Sequence, residues 1–90
     1  MVTTVEKNFA ALLRTLREER GLTQYKLAQK AGLTPSAISR LEAGSRSPSR
    51  KTLVRLAQAL ELGPEERKTL FARAGFWYEP PSLPEEVGRW

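Results

Sequence analysis

The sequence predicts an all-α fold: a compact five-helix bundle that contains a helix-turn-helix. Three observations lead there. Apolar residues recur at helical spacing in five separate stretches. The stretches open on Thr, Ser or Pro and mostly close on Gly, which is the chemistry of helix starts and stops. Ninety residues make one domain, long enough for five helices around a modest core.

The elements follow in order. Thr3-Thr4-Val5-Glu6 offers a capping box, with Thr3 as cap and Glu6 at N3. Asn8 is a second candidate start. From one of these the first helix runs to about Arg20, with Phe9, Leu12, Leu13 and Leu16 on one face, and Gly21 stops it. Arg17 falls one position past that stripe, at the edge of the core or on the surface. Thr23 caps the second helix, in which Leu27, Ala28 and Ala31 recur at helical spacing before Gly32. Thr34 caps the third, with Pro35 at N1, where its missing N–H costs nothing. Ile38 and Leu41 carry its apolar face and Gly44 ends it. Two capped helices joined by so short a turn are a helix-turn-helix signature, whose second helix reads a major groove with its N-terminal and outward residues.

Residues 44–49 form a polar loop whose one apolar residue is Pro48. Its Ser and Arg content suits it to lie along a phosphate backbone. Ser49 caps a fourth helix from Arg50 to about Glu61, with Leu53, Leu56, Ala57 and Leu60 inward. Arg50 and Lys51 stand in its first turn, where cations oppose the helix dipole. That arrangement is locally unfavourable and useful if a phosphate sits just beyond. Pro64, Glu65 and Glu66 start a fifth helix that packs Leu70, Phe71 and Ala74 inward and stops at Gly75. Residues 1–75 are therefore read as the domain and 76–90 as an irregular tail, aromatic at Phe76-Trp77-Tyr78 and rich in proline after it. The tail has three open readings: it packs back on the core, pairs with another subunit, or awaits a partner.

Charge distribution points to the partner. The net charge is +5, and residues 24–51 alone carry +5, while 1–23 carry +1 and 52–90 carry −1. Positive charge concentrated on the helix-turn-helix and the loop after it implies a polyanion, and nucleic acid above others. The chain has no Cys and no His, which removes disulfides, Cys/His zinc sites and imidazole catalysis. No apolar run reaches membrane-span length and no signal-peptide core precedes the first helix, so no membrane role and a cytoplasmic location are expected. No nucleophile–base pair and no glycine-rich phosphate loop can be drawn, so an enzyme is a poor reading and no cofactor is expected.

The runs Leu16-Arg17-Glu18-Glu19-Arg20-Gly21-Leu22-Thr23-Gln24, Leu27-Ala28, Gly32-Leu33-Thr34 and Ile38-Ser39-Arg40-Leu41-Glu42-Ala43-Gly44, with Pro48-Ser49 and Leu56-Ala57-Gln58-Ala59-Leu60, carry a resemblance. Over about residues 9–74 the chain resembles the helix-turn-helix domain of phage Cro and lambda-type repressors and their bacterial relatives, the xenobiotic-response-element-like regulators. The resemblance implies a five-helix fold and a transcription regulator that binds double-stranded operator DNA as a homodimer. It implies phosphate contacts from Gln24, Thr34, Arg46, Ser47, Arg50 and Lys51. It places Pro35, Ser36, Ser39 and Arg40 against bases. Pro35 departs from the usual polar residue and offers only an apolar contact, such as to a thymine methyl. Arg40 can pair bidentately with guanine O6 and N7; a phosphate contact is its alternative role, and the base is favoured because Ile38 and Leu41 turn it outward. Arg17 and Glu42 match a family salt bridge between the first and third helices, a structural role.

Two functions from different classes remain. The leading one is a sequence-specific regulator, most simply a repressor. The other is an antitoxin or transcription-bridging module, in which the aromatic tail is the functional element and a protein is the partner.

Overall fold

A computed structural model describes the backbone of residues 4–76 and the side chains from Phe9 onward. The Thr3–Glu6 capping box and the readings placed on residues 77–90 lie outside the described residues. Five helices follow one another: α1 (Thr4–Glu19), α2 (Gln24–Ala31), α3 (Pro35–Ala43), α4 (Arg50–Ala59) and α5 (Pro64–Arg73). All regular structure among the described residues is helical. The starts follow side-chain chemistry. The hydroxyls of Thr23, Thr34 and Ser49 accept from the backbone N–H of Lys26, Ala37 and Thr52 at 3.0, 3.1 and 3.1 Å. At α5 the Gly63 N–H instead donates to Glu66 Oε1 at 3.3 Å.

One core joins all five helices. Phe9, Leu13 and Leu16 of α1, Leu27, Ala28 and Ala31 of α2, and Ile38 and Leu41 of α3 meet Leu53, Leu56, Ala57 and Leu60, with Leu70 and Phe71 of α5. α1 packs on α3 and α5, α2 on α3 and α4, and α4 on α5. Such close packing of Leu and Phe supplies the main favourable term of folding.

The helix exits repeat one device. A residue in the left-handed region follows each helix: Gly21, Gly32, Gly44, Glu61 and Gly75, with φ between 55° and 85°. The next residue then donates its N–H to the carbonyl five back, giving Leu22 to Arg17, Leu33 to Ala28, Ser45 to Arg40, Leu62 to Ala57 and Phe76 to Phe71. This is the Schellman closure, and an apolar residue just past it commonly packs back on the helix. Leu22, Leu33, Leu62 and Phe76 all pack on the core, while Ser45, at the exit of α3, is exposed.

Two expectations are corrected. α4 ends at Ala59, two residues short of Glu61, because burying Leu62 requires the chain to turn at Leu60 and put Glu61 in a left-handed conformation. Asn8 lies inside α1, which removes it as the start of that helix. In the 44–49 loop Pro48 is buried and anchors it, while Ser45, Arg46, Ser47 and Ser49 are exposed.

Candidate nucleic-acid interface

The third helix has two faces of different purpose. Ile38 and Leu41 are buried at 0% and 2% exposure, which fixes the rotation of α3 about its axis. The opposite face then carries Ser36, Ser39, Arg40 and Ala43 at helical spacing, all exposed. Thr34 and Pro35 are exposed at its start. Thr34 uses its hydroxyl as the N-cap acceptor, and Pro35 has no N–H to leave unsatisfied.

Glu42 locks the far end of α3 to two other helices. Its Oε2 accepts from Arg17 Nε at 2.6 Å, and its Oε1 accepts from Arg17 Nη2 and Gln24 Nε2, each at 3.1 Å. Arg17 Nη1 also donates to the Leu22 carbonyl at 2.7 Å. The hydrogen bond to Glu42 holds the Arg17 guanidinium above its ordinary pKa, against the opposing effect of burial. One carboxylate therefore ties α1, α2 and α3 together. Gln24 gives one amide hydrogen to that node, and its side chain has a second donor and an acceptor. The structure thus brings Arg17, Gln24 and Glu42 into one cluster behind the exposed face of α3.

Charge follows the same division. No acid stands in the first turns of α2, α3 or α4, whereas α5 has Glu65 and Glu66 in its first turn. Helix N-termini carry partial positive charge that an acid would normally complement. The one acid in residues 24–51, Glu42, is paired with Arg17. The face is therefore positive without a competing exposed carboxylate, an arrangement that can take up phosphate.

Loop residues Arg46 and Ser47 are exposed beside α3, and Lys51 is exposed in the first turn of α4. Arg50 is placed differently. Its guanidinium carbon lies 5.8 Å from the Phe71 ring centroid and 5.7 Å from that of Phe76, within cation–π range. Arg50 thus reaches α5 and Phe76 just beyond it. Sequence reading also missed Tyr25, which is 60% exposed. Its signal was its position off the 27, 28, 31 stripe.

Among the described residues no group of three His, Cys, Asp or Glu is placed to hold a metal ion, and no helix is long and apolar enough to cross a membrane.

Comparison with known proteins places the domain among helix-turn-helix domains. A family model described as a helix-turn-helix domain matches residues 8–70. The HTH-type transcriptional repressor RghR of Bacillus subtilis is 44% identical over 57 residues, covering 62% of this chain and 42% of that protein. The chain spans less than half the length of the first two curated relatives it matches, 42% and 47%. Among solved structures, the restriction-modification controller protein C.AhdI of Aeromonas hydrophila superposes with TM-score 0.65 at 37% identity, over 69% of this chain and 94% of that one. The controller protein C.Esp1396I, solved as a tetramer with its natural 35 base-pair operator, gives TM-score 0.69 at 26% identity, over 80% of this chain and 96% of that one.

Proposed function

Since the chain belongs to the helix-turn-helix domain family, we propose that it is the operator-binding domain of a transcription regulator, acting as a repressor by occupying double-stranded DNA. The observation that carries this is the exposed Ser36–Ser39–Arg40 face of α3, fixed in rotation by buried Ile38 and Leu41 and at its end by Glu42. α3 enters the major groove. Arg40 pairs with guanine O6 and N7, Pro35 meets a thymine methyl, and Ser36 and Ser39 take whichever donor or acceptor lies opposite. Gln24, Thr34, Arg46, Ser47 and Lys51 bind backbone phosphates and set the register. Arg50 joins them with its N–H donors, from its seat over the Phe71 and Phe76 rings. The chain works as a homodimer, with recognition helices about 34 Å apart on a pseudo-palindrome. The operator-bound tetramer of C.Esp1396I supports that arrangement by similarity.

The test is selection from a random duplex library at a stated salt near physiological. The expected result is a two-fold symmetric motif with a guanine in each half-site and half-sites about one helical turn apart. Retained DNA without a motif would refute base reading by α3. No retained DNA would refute the proposal as a whole.

A further inference from the structure

We propose that Tyr25 is a DNA-backbone residue: its ring packs against a deoxyribose while its hydroxyl donates to a phosphate. The inference rests on the DNA-binding reading above and extends it to a residue that neither charge nor the recognition helix would single out.

Exposure comes first. Tyr25 is 60% exposed, and the one other exposed large apolar side chain among the described residues is Val54, at 39% on another helix. Nothing in the fold accounts for the ring. Leu27, Ala28 and Ala31 form the buried face of α2, and Tyr25 projects away from it. No described group exchanges a hydrogen bond with its hydroxyl. A large amphipathic side chain so placed presents most of its apolar body and its polar tip to solvent.

Position comes second. Tyr25 stands in the first turn of α2, one residue after Gln24. Gln24 turns inward to Glu42 and so couples this turn to the end of α3. In helix-turn-helix docking the first helix of the motif crosses the sugar–phosphate backbone while the second fills the groove. The first turn of α2 has no acid, its cap is satisfied by Thr23, and Lys26 follows directly. These features favour a phosphate beside Tyr25, and tyrosine hydroxyls are among the usual backbone-contacting groups.

The surroundings argue against a protein partner. Tyr25 is flanked by exposed Lys26, Gln29 and Lys30, not by further apolar surface. A protein-docking patch needs contiguous apolar area, which one ring does not supply.

The contact has a distinct signature because it is uncharged. Losing a lysine or arginine contact lowers affinity and flattens its salt dependence, since fewer counterions are released. Losing the tyrosine hydroxyl should lower affinity and leave the slope as it was. The experiment uses the full chain and its Tyr25→Phe and Tyr25→Ala variants. Dissociation constants are measured on the selected operator and on an unrelated duplex at several salt concentrations, with thermal unfolding as the control for folding. Tyr25→Phe is expected to weaken both duplexes about three- to tenfold, with unchanged salt slope and unchanged melting. Tyr25→Ala is expected to weaken them further as the ring contact goes. Single methylphosphonate replacements along the operator should reveal one phosphate in each half-site whose neutralisation weakens wild type more than it weakens Tyr25→Phe.

Wild-type affinity in both variants would overturn the inference and leave the DNA-binding reading intact. Loss in Tyr25→Ala without loss in Tyr25→Phe would overturn the hydroxyl contact. If wild type itself binds no duplex, both readings fall together before any variant is made.

Discussion

Replacing Glu42 by alanine should damage the fold far more than a change on a helix surface normally would. The carboxylate accepts three hydrogen bonds, two from Arg17 and one from Gln24. The side chains of Arg17 and Glu42 are only 12% and 5% exposed, so water cannot replace what is removed. An exposed pair would contribute roughly 0–1 kcal/mol. Removing one partner of a largely buried pair leaves the other charge uncompensated, at a cost of about 3–5 kcal/mol. Arg17 keeps its bond to the Leu22 carbonyl and its ion pair with Glu18 at 3.9 Å, which place the expected loss near the lower end, about 3 kcal/mol. For a domain of this size that is a drop of roughly 12–24 °C in melting temperature. Urea unfolding followed by circular dichroism gives the free energy directly. Arg17→Leu alone should cost a similar amount, and Arg17→Leu with Glu42→Leu should cost much less than the sum of the two single changes, because no buried charge is stranded. A loss below about 1 kcal/mol for Glu42→Ala, with the urea slope unchanged, would show that the pair behaves as an exposed one and would refute the clamp.

Three further outcomes are expected. Arg40→Ala should relax preference at one base pair per half-site, weaken operator binding by about 1–3 kcal/mol and leave stability within about 0.5 kcal/mol, as read from binding to single-substitution operators. Lys51→Ala should weaken all duplexes alike and reduce the slope of log affinity against log salt by about 1 unit per protomer, as measured by titration across salt. Glu61→Gly should stabilise the fold by about 0.5–1 kcal/mol, since a left-handed residue with a side chain (φ 55°) is relieved at the modest entropic cost of glycine; thermal unfolding is the check.

The legible parts of this fold were those decided within a few residues. Thr23, Thr34 and Ser49 cap their helices through neighbours three positions on, so sequence alone could place those starts. The glycines at 21, 32, 44 and 75 marked helix ends for the same reason. What followed them was less visible. Leu22, Leu33 and Phe76 pack back on the core after a turn, and that role depends on where the chain goes next. Glu61 gave no warning, because a left-handed exit is usually written with glycine. In the candidate interface, the outward face of α3 could be read from Ile38 and Leu41. The pairing of Arg17 with Glu42 spans 25 positions and was reachable through family resemblance, not spacing. The seat of Arg50 on Phe71 and Phe76 joins α4 to the end of α5, and no local pattern encodes it.

The two faces of α3 share no residue. Ile38, Leu41 and Glu42 keep the helix in place, while Pro35, Ser36, Ser39 and Arg40 take no part in the core. On the DNA-binding reading proposed above, a lineage can therefore change what the helix reads without first repairing the fold, because exposed substitutions away from caps and buried partners shift stability by only about 0.5 kcal/mol. Gene duplication followed by drift at four exposed positions would be enough to separate two copies onto different targets. The same independence makes this helix a cassette for redesign, with the rest of the domain left untouched.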